Sequence, residues 1–183
     1  MPRIDPIDPA QAQGKAKALL DGVQKALGMT PNVMRTMARS PAVLEAYLGF
    51  GKALGGGSLS AQIREQIAVA VSGANSCEYC ASAHTAVGKN LGVAEDELGA
   101  NLTSTSGDPK VEAALRFARR IVEERGWVSD PDLQRVRDAG YGDAEIVEII
   151  ATVAATTFTN YFNHIAQTEV DFPLVEVGQP TSA

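Results

Sequence analysis

Asp8-Pro9, Thr30-Pro31, Ser40-Pro41, Asp108-Pro109 and Asp130-Pro131 set the terms for what this chain can fold into. In each pair a short oxygen-bearing side chain can satisfy the free N–H groups of a helix's first turn. Proline then fits the first helical position at little cost. The segments behind these pairs carry helical spacing. In PKVEAALRFARRIVEERG, Val111, Ala114, Leu115, Ala118, Ile121 and Val122 fall on one stripe, and Gly126 stands where a C-terminal cap belongs. Further helices are expected over about 9–27, 31–39, 41–54, 60–72, 77–91, 131–139 and 143–167. β-branched runs such as IAVAV sit inside longer helical patterns rather than in strand alternation. The expected fold class is all-α.

At 183 residues the chain is most simply one domain, with a soft tail ending in GQPTSA. No apolar run approaches the ~20 residues that a membrane span needs. The opening MPRIDPIDPAQAQGKA lacks the apolar centre of a secretory signal. The default expectation is therefore a cytoplasmic protein in a reducing compartment, where a CxxC pair serves redox or metal chemistry more often than stapling. A net charge of −6 disfavours nucleic acid and anionic membrane as partners, since both are held largely by Lys and Arg.

One internal relation stands out. At an offset of 83 residues, Ala61, Ile63, Glu65, Ile67 and Ala68 match Ala144, Ile146, Glu148, Ile150 and Ala151. The same offset sets Cys77 on Asn160, Cys80 on Asn163 and His84 on Gln167. The pattern suggests a duplicated helical unit that keeps reactive groups in one copy.

The stretch NSCEYCASAH, residues 75–84, holds both cysteines and one of the two histidines. Gly73 is expected to break the preceding helix. Asn75 with Glu78 forms an N-x-x-E capping pattern, which would put Cys77 in a first turn and Cys80 just beyond it. Free N–H groups and the helix dipole favour a thiolate there. Spacings of three and four align Cys77, Cys80 and His84 along one face. His84 can exchange a proton near Cys80, and Glu65 on the preceding helix could reach the thiols as a base or relay. Two other readings stay open. The cysteines can be small buried hydrophobes. Cys77, Cys80 and His84, with Glu65 as a fourth ligand, can also hold zinc, although C-x2-C-x3-H within one helix is not the usual zinc spacing. Neither a metal nor a cofactor is expected.

Other candidates carry less. His164 reads as a packed or surface helix residue. Tyr79, Tyr161, Phe158 and Phe162 read as core or subunit contacts, and Trp127 as the anchor of a helix end. The chain has no GxxxxGK[ST], GxGxxG or GxSxG motif.

Glu65, eleven residues, Cys77-Glu78-Tyr79-Cys80, three residues and His84 together resemble the E-x11-C-x2-C-x3-H signature of the alkylhydroperoxidase D-like branch of the carboxymuconolactone decarboxylase superfamily. LSAQIREQIAVAVSGANSCEYCASAH is similar to that family almost throughout, and FTNYFNHIAQTEVDFP resembles the end of its peroxidase-related subgroup. The resemblance covers about 30–172. Joined to the helical reading above, it gives one domain over 1–183, with a core at about 30–172, an N-terminal helix at about 9–27 and a flexible tail at about 173–183. It also implies assembly into trimers or hexamers and a thiol-dependent reduction of hydroperoxides. Cys80 would attack the peroxide and become a sulfenic acid. Cys77 would condense with it, Glu65 and His84 would relay protons, and an external dithiol or disulfide reductase would restore the thiols. The helix dipole alone favours Cys77 as the stronger thiolate, so the two lines of reasoning assign the thiols differently. Tyr79 departs from members that carry a histidine before the second cysteine. A non-catalytic redox sensor or structural protein is a second expectation, and a decarboxylase-type enzyme a third, although that branch typically lacks the cysteine pair.

Overall fold

The computed structural model describes residues 1–178. Along them run α1 (Gly14–Leu27), α2 (Asn32–Met37), α3 (Pro41–Leu54), α4 (Ala61–Ala74), α5 (Glu78–Asn90), α6 (Glu95–Asn101), α7 (Pro109–Glu123), α8 (Asp130–Asp138) and α9 (Asp143–Ala166). No strand occurs among the described residues, so the fold is all-α as expected. None of these helices is long and apolar enough to cross a membrane.

Side-chain caps explain several helix starts. Ser60 accepts the Ile63 N–H at the head of α4, and Asp108 accepts the Lys110 N–H at the head of α7. Ser129 and Asp132 cap each other's backbone at α8. At the far end of α7, Gly126 has φ +87 and donates its N–H to the Ile121 carbonyl, so it closes the helix as its position implied.

Three expectations change. The Asp8-Pro9 pair does not start a helix. Asp8 instead accepts the Ala10 N–H in a local turn, and α1 begins at Gly14. The short helix α6 went unread because seven residues are too few to show a stripe and its N-cap position is an alanine. Trp127 anchors nothing within the described chain, being 88% exposed.

The core has two parts, and α4 is the hub of the first. Ile67, Ala70 and Val71 of α4 are fully buried against Leu115 and Ala118 of α7, Val136 of α8, and Ile149 and Val153 of α9. Burying each such Val, Leu or Ile contributes about 1.5–3 kcal/mol relative to leaving it in water. The second part gathers Leu20, Val33, Met37 and Leu44 from the first three helices around Cys77, Tyr79 and Cys80. The cysteines therefore sit where the N-terminal helices close onto the start of α5.

Gly73 does not break α4, which continues through Ala74. Its lack of a side chain serves packing: a Cβ there would lie 2.1 Å from the Leu102 carbonyl oxygen. The 83-residue relation is not a repeat of shape. The pair α4–α5 is broken at residues 75–77, whereas α9 runs unbroken through the matching positions 158–160.

After α9 the chain is irregular. The Val175 N–H donates to Ser82 Oγ at 2.9 Å. Residues 179–183 of the expected tail lie outside the described residues.

Candidate functional site around the cysteine pair

A helix ending, not a helix-capping asparagine, places Cys77. The Cys77 N–H donates to the Ser72 carbonyl at 2.9 Å, and the Ser76 N–H to the Gly73 carbonyl at 3.1 Å. These are the two bonds of a Schellman ending, with Ser76 in the left-handed position at φ +54. Asn75 is the C-cap of α4, and its amide donates to Asn160 Oδ1 at 2.8 Å rather than starting α5. Cys77 itself occupies the N-cap of α5, without a side-chain cap bond. Cys80 is therefore the residue inside the first turn, where free N–H groups and the dipole favour an anion. A left-handed serine is strained relative to glycine. Ser76→Gly should raise unfolding free energy by about 1 kcal/mol in denaturant titration. An unchanged or lower value would show the turn to be relaxed with serine.

Both sulfurs are sealed from solvent, Cys77 at 1% and Cys80 at 2% exposure, and both are free thiols. Their surroundings differ. Asn163 of α9 donates its Nδ2–H to Cys80 Sγ at 3.2 Å, and Thr159 Oγ1 lies 3.8 Å from the same sulfur. Cys80 is held below the ordinary thiol range, to about 6. The Cys77 S–H directed at it is the chief cause. Burial opposes this, and the His84 charge with the Asn163 and Asn160 amides adds to it. Cys77 moves the opposite way, raised first by its bond to Cys80 and then by burial. The neighbours and the first-turn position thus both favour Cys80, against the sequence-based expectation for the more N-terminal cysteine.

His84 and Glu65 form the flank of the site. His84 Nδ1 and Glu65 Oε2 are 2.7 Å apart, joining α5 to α4. Burial pulls the His84 pKa down, but the Glu65 carboxylate and the Cys80 charge outweigh it, so the net shift is upward. Glu65 pairs with His84, whose charge in turn bears on Cys80. Among the described residues, no three His, Cys, Asp or Glu side chains converge as metal ligands would.

Tyr79, between the cysteines, turns away from them. Its hydroxyl donates to Asp171 Oδ1 at 2.8 Å and accepts the Val33 N–H at 3.1 Å. Burial and the Asp171 bond raise its pKa, with only a partial offset from the Val33 N–H. His164 is exposed on α9.

Asn160, Asn163 and Thr159 were not read as site residues, although the 83-residue relation had set Asn163 against Cys80. Tyr47 was missed as well. It packs against the cysteine cluster and against Phe158, with ring centroids 6.3 Å apart. Burial, then the nearby Cys80 and Glu65 charges, pushes it up to about 12. Nothing in the sequence around Tyr47 signals that proximity.

Known proteins bear on this geometry. No curated protein sequence matches the chain. The carboxymuconolactone decarboxylase family matches residues 41–120, the segment that supplies Glu65, Cys77, Cys80 and His84. Among solved structures, the chain is similar to an alkylhydroperoxidase AhpD core, an uncharacterized peroxidase-related protein from Ralstonia eutropha JMP134. Identity is 26%, coverage is 93% of this chain and 92% of that one, and the TM-score is 0.81. A peroxidase-related protein from Silicibacter sp. TM1040 is 24% identical, covering 91% and 92% of the two chains, with a TM-score of 0.79. A cysteine variant of the debrominase Bmp8, in complex with 2,3,4-tribromopyrrole, shares the fold at 21% identity, covering 92% and 91%, with a TM-score of 0.79. The matched segment and the helical fold around it make the chain similar to the carboxymuconolactone decarboxylase family and to AhpD-like, peroxidase-related proteins.

Proposed function

We propose that the protein is a thiol-dependent hydroperoxide reductase. One observation carries this reading: two thiols meet at the entrance of one helix, and their neighbours push their acidities apart. Cys80, as thiolate, attacks the terminal oxygen of the hydroperoxide. An S–O bond forms, the O–O bond breaks, and the departing alkoxide takes a proton from the His84 imidazolium. Cys80 is then a sulfenic acid. The Cys77 thiol condenses with it, releasing water and leaving a disulfide. An external dithiol or disulfide reductase, in a cytoplasmic setting, returns both thiols and is itself oxidised. Glu65 holds His84 in place and keeps it charged. No cofactor enters this cycle.

Mass spectrometry after one equivalent of an organic hydroperoxide tests the reading. The expected product is an intramolecular Cys77–Cys80 disulfide, two hydrogens lighter than the reduced chain. Oxidation scattered over methionines with both thiols intact would refute it. The Bmp8 likeness supplies a second electrophile for the same experiment. Disulfide formation with a bromopyrrole but not with a hydroperoxide would favour dehalogenation.

The pH dependence has a defined sign. Thiolate ultraviolet absorbance should appear as pH rises through about 6, well below the ordinary thiol value. Glu65→Gln removes the charge that keeps His84 protonated, so the His84 pKa falls and Cys80 loses its cationic neighbour. The absorbance onset should then move up by about one pH unit. An onset that stays in place would remove Glu65 from the relay.

A homo-oligomer, trimeric or hexameric, belongs to the same proposal. Val147, Ile150, Phe158, Tyr161 and Ile165 form an exposed apolar stripe along α9, of the kind that marks association surfaces.

A further inference from the structure

We propose that Asn163 is a catalytic residue, which holds the Cys80 sulfur with its amide N–H while its amide oxygen receives the O–H of the hydroperoxide. The inference deepens the peroxidase reading and rests on it for the identity of the substrate.

Asn163 has two polar ends in different situations. Its Nδ2 donates to Cys80 Sγ at 3.2 Å. Its Oδ1 is buried with no hydrogen-bond partner among the described residues, in a residue only 5% exposed. A buried acceptor left unpaired costs about 1–3 kcal/mol, so this one marks a place where a donor is missing. Thr168 Oγ1, likewise buried and unpartnered, lies nearby on the same wall. Both residues line a cleft of about 310 Å³ that also borders Ser76, Cys77 and Tyr79. The cleft therefore runs beside Asn163, the residue that touches the reactive sulfur, with Asn163 Oδ1 and Thr168 Oγ1 buried in its wall.

A hydroperoxide has the matching chemistry. Its terminal oxygen carries the single O–H and is the atom that the thiolate attacks. With that O–H on Asn163 Oδ1 and the sulfur on Asn163 Nδ2, one planar amide holds both reacting atoms on adjacent positions. The attacked oxygen keeps its hydrogen through the reaction. Asn163 Oδ1 can thus accept the same O–H from the peroxide beforehand and from the Cys80 sulfenic acid afterwards. The N–H donor also fixes which way the amide faces, because its oxygen turned toward a thiolate would be repelled.

Two variants test the proposal, each checked by circular dichroism for an intact fold. Asn163→Asp replaces the donor by a carboxylate beside Cys80, and its thiolate absorbance onset should rise by at least about one pH unit, so that the thiolate share at pH 7 falls from about nine-tenths to about half or less. Asn163→Ala removes both ends of the amide. Its onset should rise less, and its rate of sulfenic acid formation should fall about 10-fold even at a pH where Cys80 is fully ionised. An unchanged onset in a folded Asp or Ala variant overturns the hold on the sulfur. An unchanged rate at full ionisation in Asn163→Ala overturns the role of the oxygen. The titration needs no peroxide. If the native protein consumes no hydroperoxide, the peroxidase reading falls with the substrate half of this proposal, while the titration still decides whether Asn163 holds Cys80.

Discussion

Cys80→Ser is expected to lose hydroperoxide consumption by at least ~10³-fold, because a serine hydroxyl in the same place is neither ionised nor a comparable nucleophile. Cys77→Ser should behave differently. It retains the first attack, so one equivalent of peroxide is consumed and a sulfenic acid accumulates on Cys80, but turnover with a dithiol stops or slows sharply. Single-turnover and steady-state assays on both variants separate the two roles. The reverse pattern, with Cys77→Ser losing the first attack, would exchange the assignments. Full activity in both variants would remove the cysteines from the chemistry altogether. The asymmetry follows from the surroundings: Asn163, Thr159 and His84 all bear on Cys80.

Gly73→Ala should be among the most damaging substitutions outside the site. An added methyl would meet the Leu102 carbonyl oxygen at 2.1 Å, and that obstacle is backbone, not a side chain that can swing aside. Helix α4 and the segment after α6 would have to separate, at a cost of roughly 3 kcal/mol. Thermal denaturation should show a fall of about 6–12 °C in Tm for a domain of this size. Gly99→Ala is the control. That position is exposed and open, with nothing within 4 Å of a new Cβ, so alanine should be neutral or stabilising by up to about 1 kcal/mol. Equal Tm values for the two variants would show that the Leu102 segment yields freely. The Gly73 effect also bears on the site, since the carbonyls of Ser72 and Gly73 are the acceptors that set Cys77 and Ser76 in place.

Much of the fold was legible because helix starts and helical stripes are local signals. Asp108-Pro109 and the stripe through Val111, Leu115 and Ala118 needed nothing beyond a short window of sequence. Asp8-Pro9 carried the same local signal, and Asp8 accepts the N–H two residues on just as Asp108 does, yet the first helix begins only at Gly14. The cysteine motif was legible by spacing, and Glu65 was expected to reach the thiols from the preceding helix. Its contact is with His84, however, a choice made by how α4 and α5 pack. The capping pattern at Asn75 and Glu78 misled for a related reason. A turn that ends one helix and starts another offers two uses for an asparagine, and here the partner lies 85 residues away on α9. Tyr47, Thr159 and Asn163 reach the sulfurs only through tertiary contact, and no spacing within their own helices could report it.

Tyr79 has a consequence for how the ends of the chain relate to its middle. The Asp171 carboxylate takes the Tyr79 hydroxyl on one oxygen and the Asn32 N–H on the other, while Val33 donates to that same hydroxyl. Sequence from beyond the last helix is thereby knotted to sequence before the third, and the knot is tied on the residue between the two sulfurs. Trimming the protein ahead of position 171 would shorten more than a loose end: it would slacken the thiol pair from behind.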